Sequence, residues 1–365
     1  MPNRNVIELN SVQNASRTIT ISSYNILCRH YMWEKVYGHL PPEFRSWRNR
    51  FNLLNKNFSD MSKFCDIMCF QEMEFKMYVE FWEEYMRGKN FGSIFERKLS
   101  PRYWDRNLVM MDGVSIFYNQ ETFKLLNYER IELASFFKNP ALYEQTKDTA
   151  HRLVSRNTVA LIAVLQHVRT HEVFFVANTH LYWSPRHEDV KLLQAYELTE
   201  LIWKAVRRYY QLSESETRSK LQSKDGINII LAGDFNSSPE SLVYRYLTDG
   251  YIDITKEPAM QNYNYGHTVG PRLGDRMGKF TSPYKDLYDQ GTFTRTAYLP
   301  KFKKMIDYIW LNEYSKRLKV TKVLDELKDD DLHDYLGFPN LDYPSDHLPI
   351  VTELEVMPRE LPNDN

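Results

Sequence analysis

The feature that most constrains this 365-residue chain is where polar residues interrupt its apolar, strand-like segments. Such segments end on Asn25, Glu72, His180, Asp234 with Asn236, Asp307, and Asp346 with His347. Strand ends in an α/β fold gather at one edge of the sheets, where residues distant in sequence meet. With 42% hydrophobic and 26% charged residues, the chain can bury a sizeable core. No repeat, low-complexity block or linker divides it, so one α/β domain is expected.

The pattern predicts strands over residues 19–27, 66–71, 92–95, 113–118, 123–133, 158–166, 173–178, 227–231, 306–311 and 349–355. An amphipathic helix is expected over 44–64, with Phe51, Leu54, Phe58 and Met61 at helical spacing, and others over 75–86 and 187–212. Residues 211–226 are polar and read as a loop. Pro239 is expected to open a helix. Residues 250–304, rich in Tyr, Gly and Pro, read as a long irregular segment, a length usual for functional loops.

Net charge is −1, so no bulk positive field attracts polyanions; an RNA partner has to be gripped by a local groove or by metal ions. Cys28, Cys65 and Cys69 are odd in number and point to a reducing, intracellular compartment. The cytoplasm is the first expectation, with nucleus and mitochondrion open. Cys65 and Cys69 lack a second pair to complete a zinc site and read as buried residues. No apolar run reaches the roughly 18 residues of a membrane span, and the polar first 16 residues lack a secretory signal core.

Taken singly, each strand-end residue has a structural explanation. Gly233-Asp234-Phe235-Asn236 suits a turn, Ser345-Asp346-His347 suits a cap, and His180 suits a satisfied core histidine. Their joint occurrence favours chemistry, specifically cleavage of a phosphodiester. Carboxylate oxygens hold Mg²⁺ while leaving room for water and a phosphate oxygen. The metal and neutral donors stabilise charge on the phosphoryl group, and a carboxylate or His deprotonates or orients the water.

The series Ser23-Tyr24-Asn25-Ile26-Leu27, Gln71-Glu72, Asn178-Thr179-His180-Leu181, Gly233-Asp234-Phe235-Asn236-Ser237, Ile306-Asp307-Tyr308-Ile309 and Ser345-Asp346-His347 resembles the motif series of the endonuclease/exonuclease/phosphatase superfamily. The resemblance runs from about residue 18 to 356. Within it, Asn178 to Pro185, the stretch Asp189 to Gln194, Met111 to Tyr118 and Leu336 to Asn340 are similar to the carbon catabolite repressor, nocturnin and angel group, especially its fungal Ngl-type members.

This resemblance implies a single-domain, four-layer sandwich in which two central mixed β-sheets are flanked by helices. The catalytic domain would span residues 17–357, between flexible termini at 1–16 and 358–365. The implied activity is that of a Mg²⁺-dependent 3′→5′ exoribonuclease of the deadenylase type, with Mn²⁺ able to substitute, acting on a single-stranded RNA 3′ end. Glu72 would be the principal Mg²⁺ ligand, with Asn25 beside it and Asp346 near a second metal position. Asp234 would orient or deprotonate water, and Asn236 would hold a phosphate oxygen. His180 would contact the scissile phosphate, and His347, held by Asp307, would act on the same phosphate or as a proton acceptor. Pro185 and Phe302 would sandwich the terminal adenine, with Lys191 and Arg186 near the phosphate.

Thr296-Ala297-Tyr298 departs from the family's Thr-Asn-Tyr, which removes a side-chain donor from the adenine pocket. The leucine-rich-repeat segment that docks some relatives onto a larger deadenylase complex is not found in these residues, and a monomer is expected. A phosphatase or phosphodiesterase on a small nucleotide such as NADP(H) is the alternative, and a catalytically silent RNA-binding scaffold a more distant one.

Overall fold

The computed structural model describes residues 4–99, 111–299, 302–328, 332 and 337–359. Leu336 of the family-like Leu336 to Asn340 stretch and residues 360–365 of the C-terminal tail lie outside the described residues.

Two large mixed sheets face each other. The first is seven-stranded, in the order Val6–Glu8, Leu318–Leu324, Ile350–Val356, Thr18–Asn25, Ile67–Glu74, Asp112–Asn119, Phe91–Arg97. The second is six-stranded, in the order Phe280–Thr281, Asp307–Asn312, Asn228–Asp234, Val173–His180, Val159–His167, Phe123–Glu132. Each has one parallel pair at its heart: Thr18–Asn25 with Ile67–Glu74, and Val173–His180 with Asn228–Asp234.

Burial on both faces explains why the central strands read as continuous apolar runs. Along Ile67–Glu74 the side chains alternate. Ile67 and Cys69 enter the core between the sheets, while Met68 and Phe70 face the outer helical layer. There Phe58 of the Trp47–Met61 helix stacks on Phe70, and Trp82 stacks on Phe58, each with ring centroids 4.2 Å apart. The Glu188–Tyr210 helix covers the outer face of the second sheet and packs on Leu242–Asp249. These layers make the expected four-layer α/β sandwich.

Several local expectations are corrected. The helix over 44–64 is two helices, Pro42–Arg45 and Trp47–Met61, separated where Ser46 leaves helical geometry at ψ 123°. Residues 211–226 are not all loop: Glu214–Gln222 is a helix capped reciprocally by Ser213 and Glu216. Only Thr217 and Leu221 of it are buried, so it carries no apolar stripe to read. Pro239 does not open a helix; the helix begins at Leu242, because the Ser241 hydroxyl accepts the Tyr244 N–H and forms the cap. Within residues 250–304 lie short paired strands, Tyr251–Asp253 with Arg272–Gly274 and Ala297–Leu299 with Phe302–Lys304. Leu318–Leu324 is an additional strand, and Val6–Glu8, within the terminus expected to be flexible, pairs antiparallel with it. All three cysteines are buried and free.

Candidate active site

The two parallel pairs point their ends at one cleft. In the second sheet, register alone assembles three residues: His180 is the Cα partner of Asp234, and Asp234 is the partner of Asp307. In the first sheet, Asn25 pairs with Gln71, and the register then slips between Gln71 and Met73. Glu72 is the residue left over in this bulge, with φ at +60°, a conformation that aims its carboxylate out of the ladder.

The side chains meet at short range. Asn25 Nδ2 donates to Glu72 Oε1 and to Asp234 Oδ2, each at 3.0 Å, tying the sheets together. The Cys28 backbone N–H donates to Glu72 Oε2 at 2.8 Å. His180 Nε2 lies 3.6 Å from Asp234 Oδ2 and 4.0 Å from Glu72 Oε1. His347 Nε2 lies 3.8 Å from Asp234 Oδ2, while its Nδ1 hydrogen-bonds Asp307 Oδ2 at 2.8 Å. Asp346 accepts the Tyr37 hydroxyl at 2.8 Å through Oδ2. All seven of these predicted residues are buried.

The profile of the family described as Endonuclease/Exonuclease/phosphatase matches residues 22–347, a span that contains all seven of these residues. The chain belongs to the endonuclease/exonuclease/phosphatase family. A CCR4-Not complex 3′-5′-exoribonuclease subunit, Ccr4 of Debaryomyces hansenii, is 30% identical over 349 residues, covering 95% of this chain and 40% of that protein. This chain thus spans well under half the length of that relative. RNA exonuclease NGL1 of Saccharomyces cerevisiae is 31% identical over 361 residues, covering 93% of each chain. The crystal structure of ANGEL2, described as a 2′,3′-cyclic phosphatase, shares the fold with a TM-score of 0.74 at 22% identity, covering 98% of this chain and 99% of that one.

The remaining predicted residues of this family member stand apart from the cluster. Asn236 donates its amide to the Leu181 carbonyl at 3.0 Å. Lys191, expected near the phosphate, is buried and donates to the Asn236 carbonyl at 2.5 Å, so it braces the Gly233 to Asn236 turn. Pro185, Arg186 and Phe302 are exposed. Phe302 opens the second strand of the Ala297–Leu299 hairpin, which is tied to the site because Ala297 bridges His347 and the Tyr298 N–H donates to the Asp346 carbonyl at 2.7 Å.

Sequence reasoning missed the supports. Arg50 is fully buried and donates to the carbonyls of Ile26, Leu27 and Pro344. Tyr37 holds Asp346, and Thr296 donates to Asp307 at 2.6 Å. Lys98 pairs with Asp112 at 2.7 Å, and Asp112 also accepts the Tyr31 hydroxyl at 2.8 Å. One available signal was Arg50 itself, an arginine four residues before Leu54 on the apolar face of its helix.

Burial and crowding of negative charge set the electrostatics. Burial, then the charge of Asp112, pushes the Glu72 carboxyl up to about 7. Burial, then Asp307, pushes Asp234 up to about 6. Burial, aided by Lys98 and His347, holds His180 well below the usual histidine range. Burial also disfavours charge on His347, but Asp307 and Asp234 overcome it and raise that group well above the usual range.

These residues fit a divalent cation. Glu72 and Asp234 are carboxylates whose ionised forms are disfavoured by burial and by neighbouring negative charge, which a cation would offset, and Asp346 Oδ1 is buried with no hydrogen-bond partner among the described residues. The donors are hard oxygens of the kind Mg²⁺ and Mn²⁺ take. Asp234, Asp307 and His347 form a second group compact enough to share an ion, although His347 Nδ1 is already engaged by Asp307. Among the described residues, no helix is long and apolar enough to cross a membrane.

Proposed function

We propose that this protein is a Mg²⁺-dependent 3′→5′ exoribonuclease that hydrolyses RNA from its 3′ end and releases 5′-nucleotides, with a preference for poly(A). The observation that carries this reading is the junction of Glu72, Asn25, Asp234, His180 and the His347–Asp307 pair in one buried cluster. The activities for which Ccr4 and NGL1 are named supply the substrate class.

In this reading Glu72 holds Mg²⁺, with Asn25 and Asp346 near it. The bound metal supplies charge stabilisation at the phosphoryl oxygens. Asp234, with a carboxyl raised to about 6, is matched to accepting a proton from water near neutral pH. His347, kept protonated by Asp307 and Asp234, donates a hydrogen bond to the phosphate. Asn236 and His180 contribute neutral donors.

Pro185 and Phe302 are exposed surfaces available to the terminal base. Stacking is worth about 1–3 kcal/mol per base, so Phe302→Ala is expected to raise KM for oligo(A) about 5- to 160-fold with the protein fully folded. Ala297 is buried and offers no side-chain donor, so discrimination between oligo(A) and oligo(U) rests on stacking. A Phe302→Ala variant with unchanged KM for both would remove that residue from the binding site.

Metal binding is expected to displace a proton. Glu72 is partly protonated below about 7, so Mg²⁺ competes with H⁺ there, and affinity rises with pH before levelling above that value. Without metal, a raised carboxyl makes the fold bind more protons than the unfolded chain, so this group's contribution to stability falls as pH rises from its ordinary value towards 7. The increase in Tm caused by Mg²⁺ should therefore be larger at pH 8 than at pH 6. Equal increases at both would show that Glu72 does not bind the ion.

The deciding assay incubates purified protein and Mg²⁺ with 5′-labelled oligo(A) or oligo(U), with NADP(H), or with RNA ending in a 2′,3′-cyclic phosphate. A ladder of shortened RNA with release of 5′-nucleotides is the expected outcome. Phosphate release from NADP(H), or opening of the cyclic end without shortening, would replace the exoribonuclease reading.

A further inference from the structure

Behind His180 sits a charged group for which the proposed chemistry has no use. Lys98 is buried, donates to Asp112 Oδ2 at 2.7 Å, and brings Nζ to 3.3 Å from His180 Nδ1. An ammonium has three donors and no lone pair. The imidazole nitrogen facing it must therefore be the acceptor, which leaves the ring proton of a neutral histidine on Nε2. That nitrogen faces the cleft, between Asp234 Oδ2 and Glu72 Oε1.

We infer that Lys98 is a positioning residue that locks His180 in the Nε2–H tautomer, making it a hydrogen-bond donor to the substrate phosphate and not a proton acceptor. Lys98 is in turn fixed by Asp112, which the Tyr31 hydroxyl holds through its other oxygen at 2.8 Å. The chain Tyr31–Asp112–Lys98–His180 runs from the loop after Thr18–Asn25, through the first sheet, to the end of a strand of the second. A second ring proton would sit on Nδ1 and point at the Lys98 ammonium 3.3 Å away, so the histidine stays neutral. Lys98 itself keeps its charge, because Asp112 and Glu72 outweigh its burial. The arrangement resembles the outer partners that orient metal-bound histidines, with the polarity reversed: the partner here donates.

The catalytic role of His180 rests on the exoribonuclease reading, but its protonation pattern does not, so the two are tested separately. Protein labelled with ¹⁵N at its ten histidines is examined by long-range ¹H–¹⁵N NMR, with His180 assigned by loss of its signals in His180→Gln. The expected result is an unprotonated Nδ1 and a protonated Nε2 in the unaltered protein. A protonated Nδ1 would overturn the inference whether or not RNA is cleaved. In Lys98→Met the Nδ1 signal is expected to move towards the protonated position, and kcat on RNA to fall about 10- to 100-fold with little change in KM. Lys98→Arg, which restores a charged donor, should recover most of both. Asp112→Asn provides a milder loosening should Lys98→Met fail to fold, with the same direction of shift expected. Unchanged His180 signals in folded Lys98→Met or Asp112→Asn would refute the lock. The predicted tautomer in a protein inactive on RNA would leave it standing and remove the exoribonuclease reading.

Discussion

Glu72→Gln is expected to leave a folded protein whose RNA cleavage is at least about 10³-fold slower, a loss of about 4 kcal/mol of transition-state stabilisation. Glu72 is the one carboxylate of the first sheet that the bulge turns into the cleft, and its two oxygens already meet Asn25 and the Cys28 N–H. The amide keeps the shape and accepts from Asn25 through its one oxygen, but its NH2 then faces the Cys28 N–H and it carries no charge for a divalent ion. The lost acceptor costs about 1–3 kcal/mol, and the loss of charge offsets it. The native carboxyl is raised to about 7, so above that pH its ionised form weakens the metal-free fold, and a neutral amide removes that cost. Metal-free Glu72→Gln should thus melt at or above the temperature of the unaltered protein at pH 8, and Mg²⁺ should no longer raise it. Activity within tenfold of the original would transfer the metal to another group, with Asp234, Asp307 and His347 the first alternative.

Arg50→Met should have the largest effect on stability, a loss of about 3–5 kcal/mol. The guanidinium is fully buried, and it satisfies the carbonyls of Ile26 and Leu27, just after Asn25, and of Pro344, just before Ser345. Methionine fills the space of the aliphatic stem but leaves three carbonyls without that donor, and unmade buried hydrogen bonds are costly. Lysine cannot replace the arginine, because a single ammonium does not reproduce a planar fork reaching two chain segments. Denaturant midpoints measure the stability loss. Assays at low temperature, where Arg50→Met remains folded, should also show reduced kcat, because Asn25 and Asp346 flank the two anchored segments. A stability change under about 1 kcal/mol would show that the network is dispensable.

What the sequence made legible follows from how each group reaches the cleft. Residues carried to the site by strand ends were visible, because apolar runs broken by Asn, Asp, Glu or His mark such ends directly. Asn25, His180 and Asp234 belong to this class; Asp307 instead opens its strand, and antiparallel register sets it opposite Asp234. The bulge at Glu72 is not visible, since a strand buried on both faces has no alternation for a one-residue slip to invert. Lys98, Tyr31 and Tyr37 were missed for another reason: each acts through contacts to residues far away in sequence, such as the 309-residue separation of Tyr37 and Asp346. The helix at Glu214–Gln222 shows no apolar periodicity, and its only mark in the sequence is the cap formed by Ser213 and Glu216. Pro239 was over-read because proline at a first helical turn is common, whereas Ser241 supplies an actual cap bond.

His180, Asp234 and Asp307 stand on one rung of a backbone ladder. Their spacing is set by the inter-strand repeat of about 4.7–4.9 Å, a length that no side-chain exchange alters. Such a rung works as a fixed gauge. Drift in the surrounding loops changes what enters the cleft, while the distances between reacting groups stay put. Descendants of this architecture can therefore exchange one phosphate ester for another far more readily than they can exchange the reaction itself.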